Sequence, residues 1–589
     1  MTRAMTRALT RTLTCTLTAA SLLLCLSSVL AAQVLVPPPP PPPPALQSDP
    51  GPENSSTLSG PASWTISGTV VSAATGTPLD RAEVSLSTPG LRGSQIAESI
   101  TLEDGSFRFD HLQAGRYRIE ASRRGYITGG YQEHDGFSTA IVTGPHLDSQ
   151  GVRLQILPTA IIGGVVTDDS GEPIGGAQVH LYRQNQDTGE SKIVSTGSDI
   201  TDDTGTWEFS RLKAGTYFVG VSASPWFAFH PPRKVDSSGV LLPDDQQTHS
   251  PLDVAYSMTF YANATDSASA AAIPISAGDR TEINLSLHAV AAIHIQVQLR
   301  PPDQGSGRGM AMPALTQEVF GSDQIQSSNV VWMSGPNNSQ PIGDFGGIAP
   351  GHYVLRQFGQ RGDPSRTASV DLTSDQTVDF SSTSVSGGVE VSGKFVMASG
   401  KPLPDRVTAT LEPAASQPFT PIANVAADGA FVFSAVSPGS YDLQLQARGT
   451  PLAVAQMAAS GAEVQGAHIT VGTDSVLLAA TLVSGSTTIT GYAKNSGKGV
   501  GGAMILLVPR DPNASHELFR RDQSDSDGSF TLNRVIPGSY TLVAIEDGWT
   551  LDWARPEVIA PYLARGIKLQ ITEQQKNLAL PSAVEVEPR

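Results

Sequence analysis

Asp104-Gly105-Ser106-Phe107-Arg108-Phe109, followed by Leu112, Gly115 and Tyr117, is a block that recurs along this chain. It returns as Thr204-Gly205-Thr206-Trp207-Glu208-Phe209 with Leu212, Gly215 and Tyr217, and as Asp428-Gly429-Ala430-Phe431-Val432-Phe433 with Val436, Gly439 and Tyr441. The last strong copy is Asp527-Gly528-Ser529-Phe530-Thr531-Leu532 with Val535, Gly538 and Tyr540. The two glycines stand ten residues apart in all four copies, and a weaker copy ends in Gly351 and Tyr353. Asp-Gly supplies the positive φ of a tight hairpin turn. Phe-x-Phe alternates with the period of a strand that buries one face and wets the other.

The second glycine allows a sharp corner, and the tyrosine two residues later opens a new strand. This pair resembles the tyrosine corner of immunoglobulin-type sandwiches, in which the hydroxyl bonds to backbone a few residues upstream. A second pattern precedes each block. Gly68-Thr69-Val70 leads to Gly76, Pro78, Leu79, Ala82, Val84 and Leu86, and Gly164-Val165-Val166 to Gly171, Pro173, Ile174, Ala177, Val179 and Leu181. Gly393 leads to Gly400, Pro402 and Leu403, with Arg406 in place of the alanine, and Gly491 to Gly497, Val500, Ala503, Ile505 and Leu507. Short strands divided by Gly/Pro turns predict an all-β chain of tandem immunoglobulin-like sandwiches. Helical periodicity is scarce outside Asp552 to Leu563.

Successive Gly-x-Tyr corners are separated by 100, 136, 88 and 99 residues. The expected modules are therefore 63–155, 156–288, a degenerate 289–385, 386–484 and 485–589, strung as a rod or curved string. The long second interval places an insertion around Ser224 to Ala272.

The N-terminus carries Arg3, Arg7 and Arg11 before an apolar stretch from Leu17 to Leu30 and the small residues Ala31 and Ala32. Residues 1–32 read as a secretory signal peptide. A lipoprotein anchor at Cys25 is the competing reading, with Leu24 where a small residue is needed. Cys15 and Cys25 are the only cysteines, so the mature chain is expected to have no disulfide. Residues 33–62 form a spacer containing eight prolines, Pro37 to Pro44, which must be an extended polyproline helix. A docking site for a proline-binding domain is the alternative there. The formal charge of −17 becomes about −20 once the signal arginines are removed. That balance argues against nucleic acid or anionic lipid as partner. No later apolar run is long enough to cross a membrane. The expected location is outside the cytoplasm: periplasmic, cell-surface or extracellular.

Gly-x-Val, Gly-x-Pro-[Leu/Ile]-x-x-Ala-x-Val, Asp-Gly-x-Phe and Gly-x-Tyr together resemble the carboxypeptidase regulatory-like domain. The resemblance implies a transthyretin-like or prealbumin-like sandwich of about seven strands, related to Cna-B-like modules. It covers four modules well and residues 289 to 385 poorly. The closing segment resembles the end of large multi-module secreted proteins of acidobacteria. Relatives of this kind accompany peptidase domains without being peptidases. None of the 11 histidines begins a His-x-x-Glu pair, and no Gly-x-Ser-x-Gly elbow occurs. The expectation is a non-enzyme without cofactor or metal site.

Its expected role is binding or scaffolding, with a polysaccharide or another surface protein as partner. A purely structural or adhesion-type spacer is the rival, and a soluble relative of the domain preceding TonB-dependent receptors is a third reading. Candidate ligand-binding residues are Trp226, Phe229 and Tyr261, which fall in the insertion where the strand template demands no core residue. His230, Arg233 and Asp253 are nearby polar groups, and Tyr256 and Phe260 extend the aromatic set. Trp549, Trp553 and Tyr562 form a second aromatic cluster. Such rings either stack on sugars or seal an edge or an inter-module contact. Three further motifs have plain readings. Asp522 to Gly528 spells part of a calcium loop, but Gln523 and Arg534 stand at ligand positions, so a hairpin with solvated acids is the simpler account. Arg361-Gly362-Asp363 is an adhesion tripeptide in spelling. Lys394 and Lys494 are the first-strand lysines available for an isopeptide bond.

Overall fold

The computed structural model describes residues 63–589 except 90–92, 148, 187–188, 190, 237–240, 300–312, 327–328, 335–340, 358–365, 381–388, 414–419, 449–450 and 512–515. The signal peptide, the proline spacer and Arg361-Gly362-Asp363 lie outside the described residues. The chain is a series of tandem β-sandwiches, and among the described residues the strands group into five of them, each around its own apolar core.

Module one shows the shared plan. Strands β1 (Trp64–Ser72), β2 (Ser106–Leu112) and β3 (Val152–Ile156) make one layer; β1 is antiparallel to β2 and parallel to β3. The facing layer centres on Glu83–Ser87 and Gly115–Ser122. Their inward residues, among them Ile66, Val84, Phe107, Phe109 and Ile119, are buried together. In every module the first strand takes the last strand, or strands, in parallel. In module five the last strand, Val584–Glu587, pairs with both layers.

The turn glycine is required twice over. Gly105 has φ +73°, and a Cβ there would lie 2.7 Å from the Val70 carbonyl oxygen; at Gly429 the approach to the Phe395 carbonyl is 2.1 Å. The corner glycine serves the tyrosine. A Cβ on Gly538 would sit 3.1 Å from the Tyr540 ring, and one on Gly351 3.2 Å from the Tyr353 ring. The ring folds back over the glycine and its hydroxyl reaches the carbonyl four residues upstream. Tyr117 donates to Gln113 at 2.9 Å, Tyr217 to Lys213 at 2.7 Å, Tyr441 to Ser437 at 2.7 Å and Tyr540 to Ile536 at 2.7 Å. Tyr353 of the degenerate module keeps the same bond, to Ala349 at 2.9 Å.

All five rings are buried. Burial pushes the Tyr353 and Tyr540 phenols up to about 12. Replacing Tyr441 by Phe leaves the Ser437 carbonyl without this donor, so Tyr441→Phe should cost about 1–3 kcal/mol in chemical denaturation. The raised phenols add a pH dependence. Stability they contribute is complete below the ordinary tyrosine value near 10 and falls as pH rises through about 12. A Tyr353→Phe, Tyr540→Phe double variant should therefore lose less stability between those limits than the native chain.

Candidate functional site

The insertion leaves module two after the strand Gly215–Ser222. Pro225, Pro231 and Pro232 lack amide donors and keep their predecessors extended. The segment therefore runs without regular structure to residue 236, apart from a bridge at Val235. Trp226 is 84% exposed and meets Phe227 edge-on at 5.7 Å between ring centroids. Phe229 is 58% exposed, and its amide donates to the Leu252 carbonyl. Tyr261 is placed differently. Its backbone bonds to Val219 and Ala271, and its ring packs on the module-two core. Among the described residues no ring contact joins Tyr261 to Trp226 or Phe229.

The polar neighbours read from sequence do not flank Trp226 on a wet surface. Arg233 and Asp253 are buried, and His230 half-buried, at the junction with module three. His230 Nδ1 lies 2.8 Å from Asp253, and Arg233 pairs with Asp253 at 3.1 Å and with Asp375. The Arg233 amide donates to Asp344 at 2.6 Å. His294, 1% exposed, sits with Nδ1 3.0 Å from Asp344 and Nε2 3.2 Å from Asp253. Arg233, His230 and Asp253 come from the insertion, whereas His294, Asp344 and Asp375 belong to module three. The extended His-Pro-Pro-Arg run delivers the guanidinium to Asp375 and the backbone amide to Asp344 of the next sandwich.

An aromatic contact reinforces this joint. Phe320 of module three lies 5.0 Å from Tyr182, 5.0 Å from Phe218 and 5.6 Å from Phe260. The Tyr182 hydroxyl donates to Gln324 at 2.6 Å, and the Gln324 amide nitrogen lies 3.0 Å from His180 Nδ1. Burial pushes His180 down to about 4, which matches a neutral ring beside an amide donor. Phe260 is core here, while Tyr256 packs against the module-two core from the edge.

Trp549, Trp553 and Tyr562 cover the outer sheet of module five, and the two tryptophans seal contacts with its neighbours. Trp549 stacks on His134 of module one at 5.3 Å, and Phe137 lies 5.6 Å away. Trp553 sits under the Arg521 guanidinium at 4.7 Å and closes on Gly189 of module two, where a Cβ would come within 2.6 Å of the indole. The Ala554 amide donates to the Gly189 carbonyl at 3.1 Å. The helix Pro556–Leu563 follows directly.

The acids of Asp522 to Gly528 are not uniformly solvated, which corrects the simpler account. Gln523, Ser524 and Asp525 are buried against module one. Asp525 accepts the Ala140 amide at 3.0 Å, pairs with Arg116 and takes the Ser529 hydroxyl. Ser526 exchanges bonds with Ala140 and Val142, and Gln523 donates to Gln132 and Thr139. Burial pushes the Asp525 carboxyl up to about 6 against the opposing pull of Arg116, and raises Asp522 to about 6 as well. The string therefore closes: module five docks on modules one and two. Among the described residues no group of three or more His, Cys, Asp or Glu side chains is placed to hold a metal ion. Of the first-strand lysines, Lys394 is exposed and Lys494 lies 5.8 Å over the half-exposed Tyr492 ring.

Residues 65–137 and 161–226 match the family model of the carboxypeptidase regulatory-like domain. Modules one and two carry that domain. The second match ends on Trp226, so the ionic joint lies beyond it. Residues 483–560 match the BOS complex subunit NOMO1-like, second beta sandwich domain. No curated protein matches the chain. Solved structures that resemble parts of it include the following three. The ancillary pilin of Streptococcus is 10% identical, with 54% of this chain and 98% of that one covered at a TM-score of 0.18. GBS52, the minor pilin of Streptococcus agalactiae, is 14% identical, with coverage of 42% and 100% at 0.19. The Bacillus anthracis TIE protein is 7% identical, with coverage of 89% and 74% at 0.15.

Arg116→Ala should weaken the contact between modules one and five. A buried pair broken on one side costs about 3–5 kcal/mol, but Arg116 is 35% exposed, so about 2–3 kcal/mol is expected. Trp226→Ala should stay within about 0.5 kcal/mol, as for other surface substitutions. Denaturation followed by tryptophan fluorescence distinguishes the two.

Proposed function

We propose that this chain is an exported, non-catalytic scaffold whose five sandwiches, 63–155, 156–288, 289–385, 386–484 and 485–589, lock into one body that presents a binding surface. The observation that carries this reading is Asp525. Its charge is buried on module five and satisfied by the Ala140 amide and Arg116 of module one. A spacer of independent beads has no use for such a contact, since each bead could satisfy its own polar groups. The joint between modules one and two agrees: only residues 157–159 separate their strands, and the Ile127 and Thr159 amides bond across it. Among the described residues no helix is long and apolar enough to cross a membrane.

A second reading, polysaccharide binding at Trp226 and Phe229, is favoured by two large rings held in water. Tryptophan fluorescence titrated with soluble polysaccharides, beside Trp226→Ala, tests that site.

The scaffold reading is tested by nicking. The mature chain is cut by a protease under native conditions and passed over a sizing column. Fragments carrying modules one, two and five should co-elute and separate only in denaturant. Elution of module five as a free fragment would refute the scaffold.

A further inference from the structure

Modules one, two and five leave a cavity of about 1250 Å³ between them. Its walls come from Ile127–Gly136 with Arg153, Gln155 and Leu157 of module one, Arg183–Gln186 and Lys213–Thr216 of module two, and Val500–Ala503 with Glu546, Asp547 and Thr550 of module five. We propose that this cavity binds a neutral oligosaccharide. The inference rests on the docking of module five against module one.

Charge decides the class of ligand. Arg153 and Lys213 face the cavity from modules one and two, and Glu546 and Asp547 face it from module five. The side chains of these four, and that of Gln155, have no hydrogen-bond or ion-pair partner among the described residues. Cations and carboxylates thus share one chamber without neutralising one another. A polyanion would meet Glu546 and Asp547 on module five and Glu133 and Asp135 on module one, and a polycation would meet Arg153 on module one and Arg183 and Lys213 on module two. A hydroxyl both donates and accepts, so a row of sugar hydroxyls can donate to Glu546 and Asp547 while accepting from Arg153 and Lys213. The Gln155 amide offers both roles at once, and Tyr131 adds a flat ring to the lining.

Lipids and apolar peptide side chains find little here, because Ile127, Leu157 and Val500 are the larger aliphatic groups of the walls. The volume exceeds the ~300–1,000 Å³ of a pocket for one small molecule, which fits several linked rings.

The test is saturation-transfer NMR on the full mature chain with cellohexaose, xylohexaose, mannohexaose and chitohexaose, beside a heparin hexasaccharide. The expected result is binding of at least one neutral hexasaccharide. A variant combining Arg153→Ala and Glu546→Gln should weaken it at least tenfold, and Trp226→Ala should change it less than twofold. Both cavity residues are exposed, so the variant should fold, which an unchanged circular-dichroism spectrum and melting temperature would verify. Heparin binding alone, no neutral sugar bound by a chain whose nicked fragments stay together, or loss of binding only in Trp226→Ala would overturn the proposal. Fragments that come apart on nicking refute the scaffold itself, and the cavity with it.

Discussion

Everything above the level of a single sandwich depends on charge that one module buries and another satisfies. Asp525 receives its amide from Ala140 and its counter-charge from Arg116, both in module one. Arg233 leaves module two to meet Asp344 and Asp375 in module three. Such contacts add little net stability when made, because desolvation offsets the Coulomb gain, but they are costly to break. That asymmetry selects one arrangement among many packings of similar apolar area. The protein uses it at two joints.

Within each module the logic differs. The tyrosine corner closes a loop over four residues, and the turn glycine fits a gap that admits no Cβ, so the template is local and repeats. What varies is the material outside it. The insertion of module two becomes the joint to module three, and the C-terminal tryptophans become a lid over module five. The repeated parts make the sandwiches, and the unrepeated parts assemble them.

This division explains what could be read from sequence. Phe107, Phe109 and Tyr117 announce themselves by spacing, and the weak copy around Tyr353 keeps its corner although most of its template has drifted. The joints carry no comparable signal. Arg116 and Thr531, which bond at 3.0 Å, are 415 residues apart in sequence, and nothing local to either names the other. Trp549 and Trp226 look alike as exceptions to the strand pattern, yet one is sealed against His134 and the other stands in water. His230, Arg233 and Asp253 show the same limit: they stand near exposed rings in sequence, while in the structure they pair with one another and with His294, Asp344 and Asp375 of the next sandwich. The Pro231-Pro232 pair, which forces an extended crossing, was the available clue.

Whether modules one and five are held together in solution can be read by electron–electron distance measurement. Cys15 and Cys25 are the only native cysteines, so a chain beginning at Gln33 can carry nitroxides solely at Glu103→Cys in module one and Glu557→Cys in module five. Both positions are exposed and lie outside the contact between the two modules. Docked modules should give one narrow distance distribution that persists in high salt, since buried pairs are screened little. A broad distribution, as from modules swinging independently on linkers, would contradict it.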